Sequence, residues 1–356
     1  MAIFLRFNVC FFLFSFLLSC AQKRDSSEVL PFNKEVKISN NENSSKINGV
    51  SFVASQDSIL PQNIEPLKEI HANYAAIMPF GFIKSLEHPE IVYNQERQWF
   101  GETKQGARQY IGMLHKNNLK VMMKSQIWVW HGEFTGLLKM ASEADWDELE
   151  SSYRAFIIDY AKVAEAEKVE IFCIGTELET FTAQRPEYWR KLIAEIQTVY
   201  KGKLTYAANW NEYERVPFWD LLDFIGVDAY FPVSENKTPT VQETQNGWQP
   251  WKKELKSFSD KEHKKVLFTE YGYRSVDFAG KEPWKSDRQM NSINLKAQAN
   301  LLEGLYQSVW EEDWFAGGFL WKWFIAHERV GGESDNQFSP QNKPAEEVVK
   351  KYYGED

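Results

Sequence analysis

The chain has 356 residues, 43% of them hydrophobic and 26% charged, the composition of a folded globular protein, which excludes a wholly disordered or collagen-like chain. At about 150 residues per ordinary domain, that length holds two domains, or one barrel of about 250 residues with appendages. Forty-one Lys and Arg against 50 Asp and Glu give a formal charge of -9; such a surface repels phosphate backbones and anionic lipid, so nucleic acid is not expected and an uncharged ligand is.

Residues 1–19 read as a secretory signal: Arg6 precedes an apolar run from Val9 to Leu18 that is too short to span a membrane as a mature helix. The run ends at Leu17-Leu18-Ser19-Cys20, which resembles the bacterial lipobox, in which the cysteine is lipidated and becomes the new first residue. Residues 20–46 are rich in Ser, Asn and charge and lack apolar periodicity, the pattern of a flexible tether. Lipidation at Cys20 would leave Cys173 without a disulfide partner, so the exported chain must be held together by its core. Its expected place is the cell envelope, on the periplasmic or cell-surface face, with the lipid as the sole membrane contact.

From residue 47 to 356, short β-branched and aromatic runs alternate with segments of helical period. Strands are expected at Gly49–Ala54, Tyr74–Phe80, Lys120–Trp128, Val169–Gly175, Leu204–Asn209, Phe224–Ala229, Lys265–Thr269 and Gly317–Trp321. The clearest helices are expected at Ala144–Lys168, with Ser142 as its N-cap, at Glu187–Tyr200, started by Pro186, and at Arg288–Glu311. Eight strands with crossover helices predict an α/β fold, a single (β/α)8 TIM barrel, whose chemistry gathers where strands end and loops begin. An open doubly wound sheet competes, but no Gly-rich phosphate turn follows the first strand.

The strand ends carry Lys124, Gln126 and Trp128; Glu177; Asn209 and Trp210; Asp228 and Tyr230; Glu270; and Trp321 and Trp323. Glu177 and Glu270 directly follow apolar runs at the ends of the fourth and seventh strands, which lie across a barrel mouth from each other. Paired carboxylates are what glycosidic cleavage needs: one protonates the leaving oxygen while the other serves the opposite face of the anomeric carbon. Each also discourages ionisation of the other. Aromatic residues are unusually frequent, 25 Phe, 15 Tyr and 14 Trp. Trp128, Trp210, Tyr230, Trp321 and Trp323 fall at the expected mouth, where flat rings suit the C–H faces of sugars. By alternation Trp321 and Trp323 share a side, so one can face the cleft while the other packs beneath it.

Ile174-Gly175-Thr176-Glu177, Gly226-Val227-Asp228-Ala229-Tyr230, Thr269-Glu270-Tyr271-Gly272 and the tail from Phe338 to Ala345 resemble glycoside hydrolase family 113, the clan A β-mannanases, over about residues 48–353. The resemblance implies retaining hydrolysis of β-1,4-mannosidic bonds, with Glu177 as acid/base, Glu270 as nucleophile, and a β-linked oligo- or polysaccharide as partner. Substrate contacts are expected from Trp128, Asn209, Trp210, Asp228, Tyr230 and Trp321 at the strand ends, with Tyr230 orienting Glu270 and Trp321 forming a platform under the cleaved sugar. Most of the clan has Asn before the acid/base, where this chain has Thr176; Asn209 is a candidate substitute for the contact to the sugar 2-hydroxyl. A retaining pair stands about 5–5.5 Å apart. The competing readings are another clan A β-glycosidase, an exo-mannosidase or a glucanase, and a glycan-binding lipoprotein without activity.

No cofactor or metal is called for. The six His residues show no HExxH spacing, and the loop Gly331–Asn336 lacks EF-hand ligand spacing. Neither a GxSxG elbow nor a P-loop is present. Glu179, two residues past Glu177, is expected behind the acid rather than in its place.

Overall fold

The computed structural model describes residues 46–286 and 292–355. The signal segment, Cys20 and nearly all of the tether lie outside these residues. Eight parallel strands close a barrel: β1 (Ile47–Phe52), β2 (Tyr74–Ile77), β5 (Lys120–Lys124), β7 (Ile171–Thr176), β8 (Lys203–Asn209), β9 (Ile225–Asp228), β10 (Val266–Tyr271) and β11 (Phe315–Trp323), with β11 pairing back onto β1. The expected TIM barrel is present, each strand adjoining the next barrel strand in the chain.

Helices cover the outside: α1 (Pro61–Glu69), α2 (Lys104–Lys116), α3 (Glu143–Ala166), α4 (Glu179–Gln184) and α5 (Pro186–Val199), then α6 (Val241–Glu262), α7 (Leu295–Val309) and α8 (Pro344–Tyr353). Ser142 caps α3 as expected, its hydroxyl accepting from the Asp145 N–H at 3.2 Å. Pro186 opens α5, where its missing N–H costs nothing. Of the third expected helix, Arg288–Asn291 lie outside the described residues, and the described helix starts at Leu295, where the Asn294 side chain accepts from Ala297 N–H. Between β8 and β9 only two short 3-10 turns occur, and their buried Tyr213, Phe218 and Trp219 fill the layer a helix would occupy.

Two expected strands were too long. The run Tyr74–Phe80 is broken by Pro79, which cannot donate to a ladder, and the chain turns into β3 (Phe80–Ile83). The run Lys120–Trp128 divides at Ser125, after which β6 (Gln126–Val129) leaves the barrel. β3 pairs with β6 in parallel and with β4 (Ile91–Tyr93) in antiparallel, forming a small second sheet above the barrel strands that lead into it.

Alternation along the strands sorts the core into two layers. Ile47, Ala76, Met122, Ile171, Cys173, Ala207, Leu267 and Phe319 fill the barrel interior. The larger layer between sheet and helices is strongly aromatic: Trp189 stacks on Phe218 at 5.4 Å and meets Tyr153, Phe181 and Tyr206 edge-on or tilted. Most of the aromatic excess is therefore structural. Cys173 is a free thiol buried in the interior, and that burial pushes it up to about 12.

Candidate active site

Both candidate carboxylates sit at breaks in the barrel's regularity. Along β10, Leu267 points inward, Phe268 outward and Thr269 inward, so strict alternation would send Glu270 into the helix layer. The register shifts between Phe268 and Glu270 instead, setting Glu270 opposite Asp228. Such a bulge re-aims a side chain at the cost of one unpaired residue. A second shift, between Cys173 and Thr176 in β7, precedes Glu177.

Three donors meet the Glu270 carboxylate. Lys124 Nζ lies 2.5 Å and Gln126 Nε2 3.2 Å from Oε1, while the Tyr230 hydroxyl donates to Oε2 at 2.8 Å. The Lys124 ammonium, wholly buried, also donates to both oxygens of Asp228 at 3.0 Å, and the Thr269 hydroxyl donates to Asp228 Oδ1 at 2.7 Å. Burial alone would lower Lys124, but the charges of Asp228 and Glu270 outweigh it and hold the ammonium above its ordinary range. Burial and then the charge of Glu270 raise the Tyr230 phenol well above the usual range, so it is a neutral donor.

The Glu177 carboxyl has no ion-pair partner among the described residues. Burial, then the charges of Asp228 and Glu270, raise it well above the carboxylate range and favour the protonated acid. Its backbone lies in the left-handed region at φ 50, an uncommon conformation for a non-glycine residue. The surroundings fix that conformation: Glu177 N–H donates to Ala207 O at 2.8 Å, and the Thr135 hydroxyl donates to Glu177 O at 3.1 Å.

A buried network holds the next residues. Leu178 N–H donates to the Tyr206 hydroxyl at 2.6 Å, Tyr206 donates to Glu212 Oε1 at 2.8 Å, and Asn209 N–H donates to Glu212 Oε2 at 3.0 Å. Glu212 thus joins the loop after Glu177 to the end of β8. Burial pushes its carboxyl up to about 7, against the opposing pull of those hydrogen bonds. Glu179 points away and pairs with Arg215, as expected for a residue behind the acid.

The remaining expected contacts divide. Asn209 is half-buried, and its Oδ1, itself shielded from solvent, finds no donor among the described residues. Thr176 Oγ1 is likewise buried, beside the Cys173 thiol. Trp128 is exposed on β6, two residues beyond Gln126 and so on the same strand face that meets Glu270. Trp321 is half-exposed at the end of β11, and Trp323 is fully buried beneath, near His327. One expectation needs correction. Asp228 is 1% exposed and committed to Lys124 and Thr269, so it braces the site from behind rather than facing a sugar. Trp210 has one face stacked on Trp284 at 5.2 Å and its edges against Phe231 and Trp251. Trp210 stays partly exposed; the more exposed ring there is that of Trp284, which sequence reading missed because it lies in a loop, away from any strand end.

The tail motif is a brace. Buried Gln341 exchanges hydrogen bonds with the Phe324 backbone, accepting at 2.7 Å and donating at 3.0 Å. Lys343 reaches Ser275 at 3.0 Å and Asp335 at 2.6 Å, and Phe338 meets the Tyr230 ring edge-on at 6.0 Å. It ties the loops after β10 and β11 together behind the carboxylates.

The family model of Glycoside Hydrolase Family 113 matches residues 55–343, most of the chain and all of these site residues. The chain belongs to glycoside hydrolase family 113. It is thus a glycoside hydrolase, and solved structures of the family share its fold. A GH113 β-mannanase from Alicyclobacillus acidocaldarius, solved in complex with ManMIm, is 24% identical at a TM-score of 0.75, covering 87% of this chain and 97% of that one. A GH113 β-1,4-mannanase is 24% identical at a TM-score of 0.73, covering 88% and 100%. A β-glucuronidase from Ruminococcus gnavus is more distant, 15% identical at a TM-score of 0.56, covering 87% of this chain and 49% of that one. No curated protein sequence matches the chain.

Proposed function

We propose that this family 113 enzyme hydrolyses β-1,4-mannosidic bonds by double displacement, with Glu270 as nucleophile and Glu177 as acid/base. The observation that carries this reading is the unequal treatment of two carboxyls, the first of them, Glu177, close enough to feel the charge of the second. Glu270 receives three donors, one of them the buried Lys124 ammonium, which fix its oxygens in place. Glu177 is desolvated and lacks a cation of its own, which favours its protonated form. A general acid must be protonated and a nucleophile must be held in place for attack; Glu177 suits the first role and the thrice-bonded Glu270 the second.

In the first step Glu270 attacks the anomeric carbon while Glu177 gives its proton to the departing oxygen. In the second, the Glu177 carboxylate takes a proton from water as that water displaces Glu270. Tyr230 orients Glu270, Asn209 offers its amide to the 2-hydroxyl, and Trp128, Trp284 and Trp321 offer ring faces along the cleft. Mannan as substrate is supported by the family and by the names of its solved members; Cys20 would anchor the enzyme in the cell envelope.

Incubation with β-mannan, glucomannan, xylan and cellulose oligosaccharides, followed by NMR of the first product, tests the reading. Cleavage of mannan with initial β product is expected. Initial α product would overturn retention, preferential cleavage of xylan or cellulose would overturn the substrate, and full activity in Glu270→Gln would overturn the nucleophile. Fatty-acid labelling should vanish in Cys20→Ala; label that persists would refute the anchor.

A further inference from the structure

The two oxygens of Glu270 are not equivalent. Oε1 accepts from Lys124 at 2.5 Å and from Gln126 at 3.2 Å, whereas Oε2 accepts from Tyr230 alone, at 2.8 Å. A carboxylate oxygen has two lone pairs, so both on Oε1 are engaged and one on Oε2 is left for the sugar. Lys124 cannot follow the substrate. Its side chain is wholly buried, and both oxygens of Asp228, itself held by Thr269, fix the ammonium from the other side.

We propose that Lys124 is a charge clamp on Oε1 that makes Oε2 the attacking atom of Glu270 and favours its departure in the second step. This rests on the double-displacement reading above. In the first step a lone pair of Oε2 forms the bond to the anomeric carbon and the glycosidic C–O bond breaks. The electron pair left on the departing oxygen takes the proton of Glu177. In the second, a water oxygen bonds to the anomeric carbon and yields its proton to Glu177, the C–Oε2 bond breaks, and its electron pair restores the carboxylate. Glu270 therefore loses its negative charge in the first step and regains it in the second. A fixed cation beside Oε1 moderates the attack and stabilises the departing carboxylate. Lys124 is a positioning residue, since it acts through Glu270 and does not touch the sugar.

The charged and titratable groups facing Lys124 are Asp228 and Glu270 in contact, with Glu177 and the Cys173 thiol farther off. Lys322, lying over the Trp321 and Phe324 rings, faces Glu270 from the end of β11. Removing the Lys124 cation makes Glu177 harder to ionise, so the alkaline limb of the pH–rate profile should move upward.

The test uses the mature enzyme, 2,4-dinitrophenyl β-mannoside and 2-deoxy-2-fluoro-β-mannosyl fluoride. Lys124→Met should release a burst of dinitrophenolate followed by turnover at least ~10-fold slower, the effect of one lost charge-assisted hydrogen bond. KM should fall with kcat, azide should restore turnover, and the alkaline pH limb should rise. Lys124→Arg, which keeps the charge, should show neither burst nor moved limb. A loss of kcat in Lys124→Met without burst, azide rescue or moved limb would overturn the clamp, as would a burst in Lys124→Arg. The wild-type enzyme decides the matter even if Lys124→Met does not fold: in a crystal structure of the trapped fluoro-glycosyl enzyme the sugar should hang on the oxygen facing Tyr230, with the other still on Lys124. A retaining enzyme with the sugar on the Lys124 side sinks the clamp alone, whereas inversion by the wild type sinks double displacement itself.

Discussion

Replacing Glu212 with Gln isolates the energetic cost of the network behind Glu177. Glu212 is 1% exposed, and its carboxyl is pushed from an ordinary value near 4.5 up to about 7. A folded-state value above the unfolded one means stability that is fully present below about pH 4.5 and lost as pH rises through about 7. At about 1.4 kcal/mol for each tenfold change in proton affinity, the loss is about 3 kcal/mol. Gln does not titrate, but it cannot accept from both Tyr206 and Asn209, which costs about 1 kcal/mol at every pH. The two stability curves should therefore cross. Urea unfolding should find Glu212→Gln about 1 kcal/mol less stable than wild type near pH 4.5 and about 2 kcal/mol more stable near pH 8. A constant offset between the curves from pH 4.5 to 8 would refute the assignment of this pH dependence to Glu212.

Glu177→Ala should lose about 10²–10⁴-fold in kcat/KM on mannan oligosaccharides, yet keep most of its rate of enzyme glycosylation on a dinitrophenyl glycoside, whose leaving group needs no proton. Its alkaline pH limb, which in the wild type should lie above the ordinary carboxylate range because burial and neighbouring charge raise Glu177, should disappear. Equal losses on both substrates would argue against an acid role. Gly272→Ala should destabilise by about 1–3 kcal/mol in thermal unfolding, because its Cβ would lie 2.5 Å from the Trp321 carbonyl oxygen. Unchanged stability would mean the ends of β10 and β11 are not packed as closely as described.

The barrel was legible because its strands are apolar runs at regular intervals, and both catalytic candidates stood directly after such runs. The extra strands β3 and β6 were not, because each continues the apolar run of the barrel strand before it and only Pro79 or Ser125 marks the join. Lys124 was visible at a strand end but carried no assigned role, since a lysine there usually reaches solvent. The signal was its place two residues after Met122, on the inward face of β5. Asp228 was taken for a sugar contact because sequence shows position along a strand but not whether a side chain has found a buried partner. Glu212 gave no signal at all: it lies in an irregular loop, and its importance arises from Tyr206 and Leu178, which only the folded chain brings to it.

The register shifts before Glu177 and Glu270 bear on how this chemistry could be moved to another scaffold. A designed barrel with ideal ladders and glutamates written at the same strand ends would aim at least the second of them into its helix layer. What must be transplanted is an insertion as well as a residue type, together with the lysine that holds the displaced side chain in place. A sequence search for latent glycosidases among barrels would do better to look for the extra residue than for the acid.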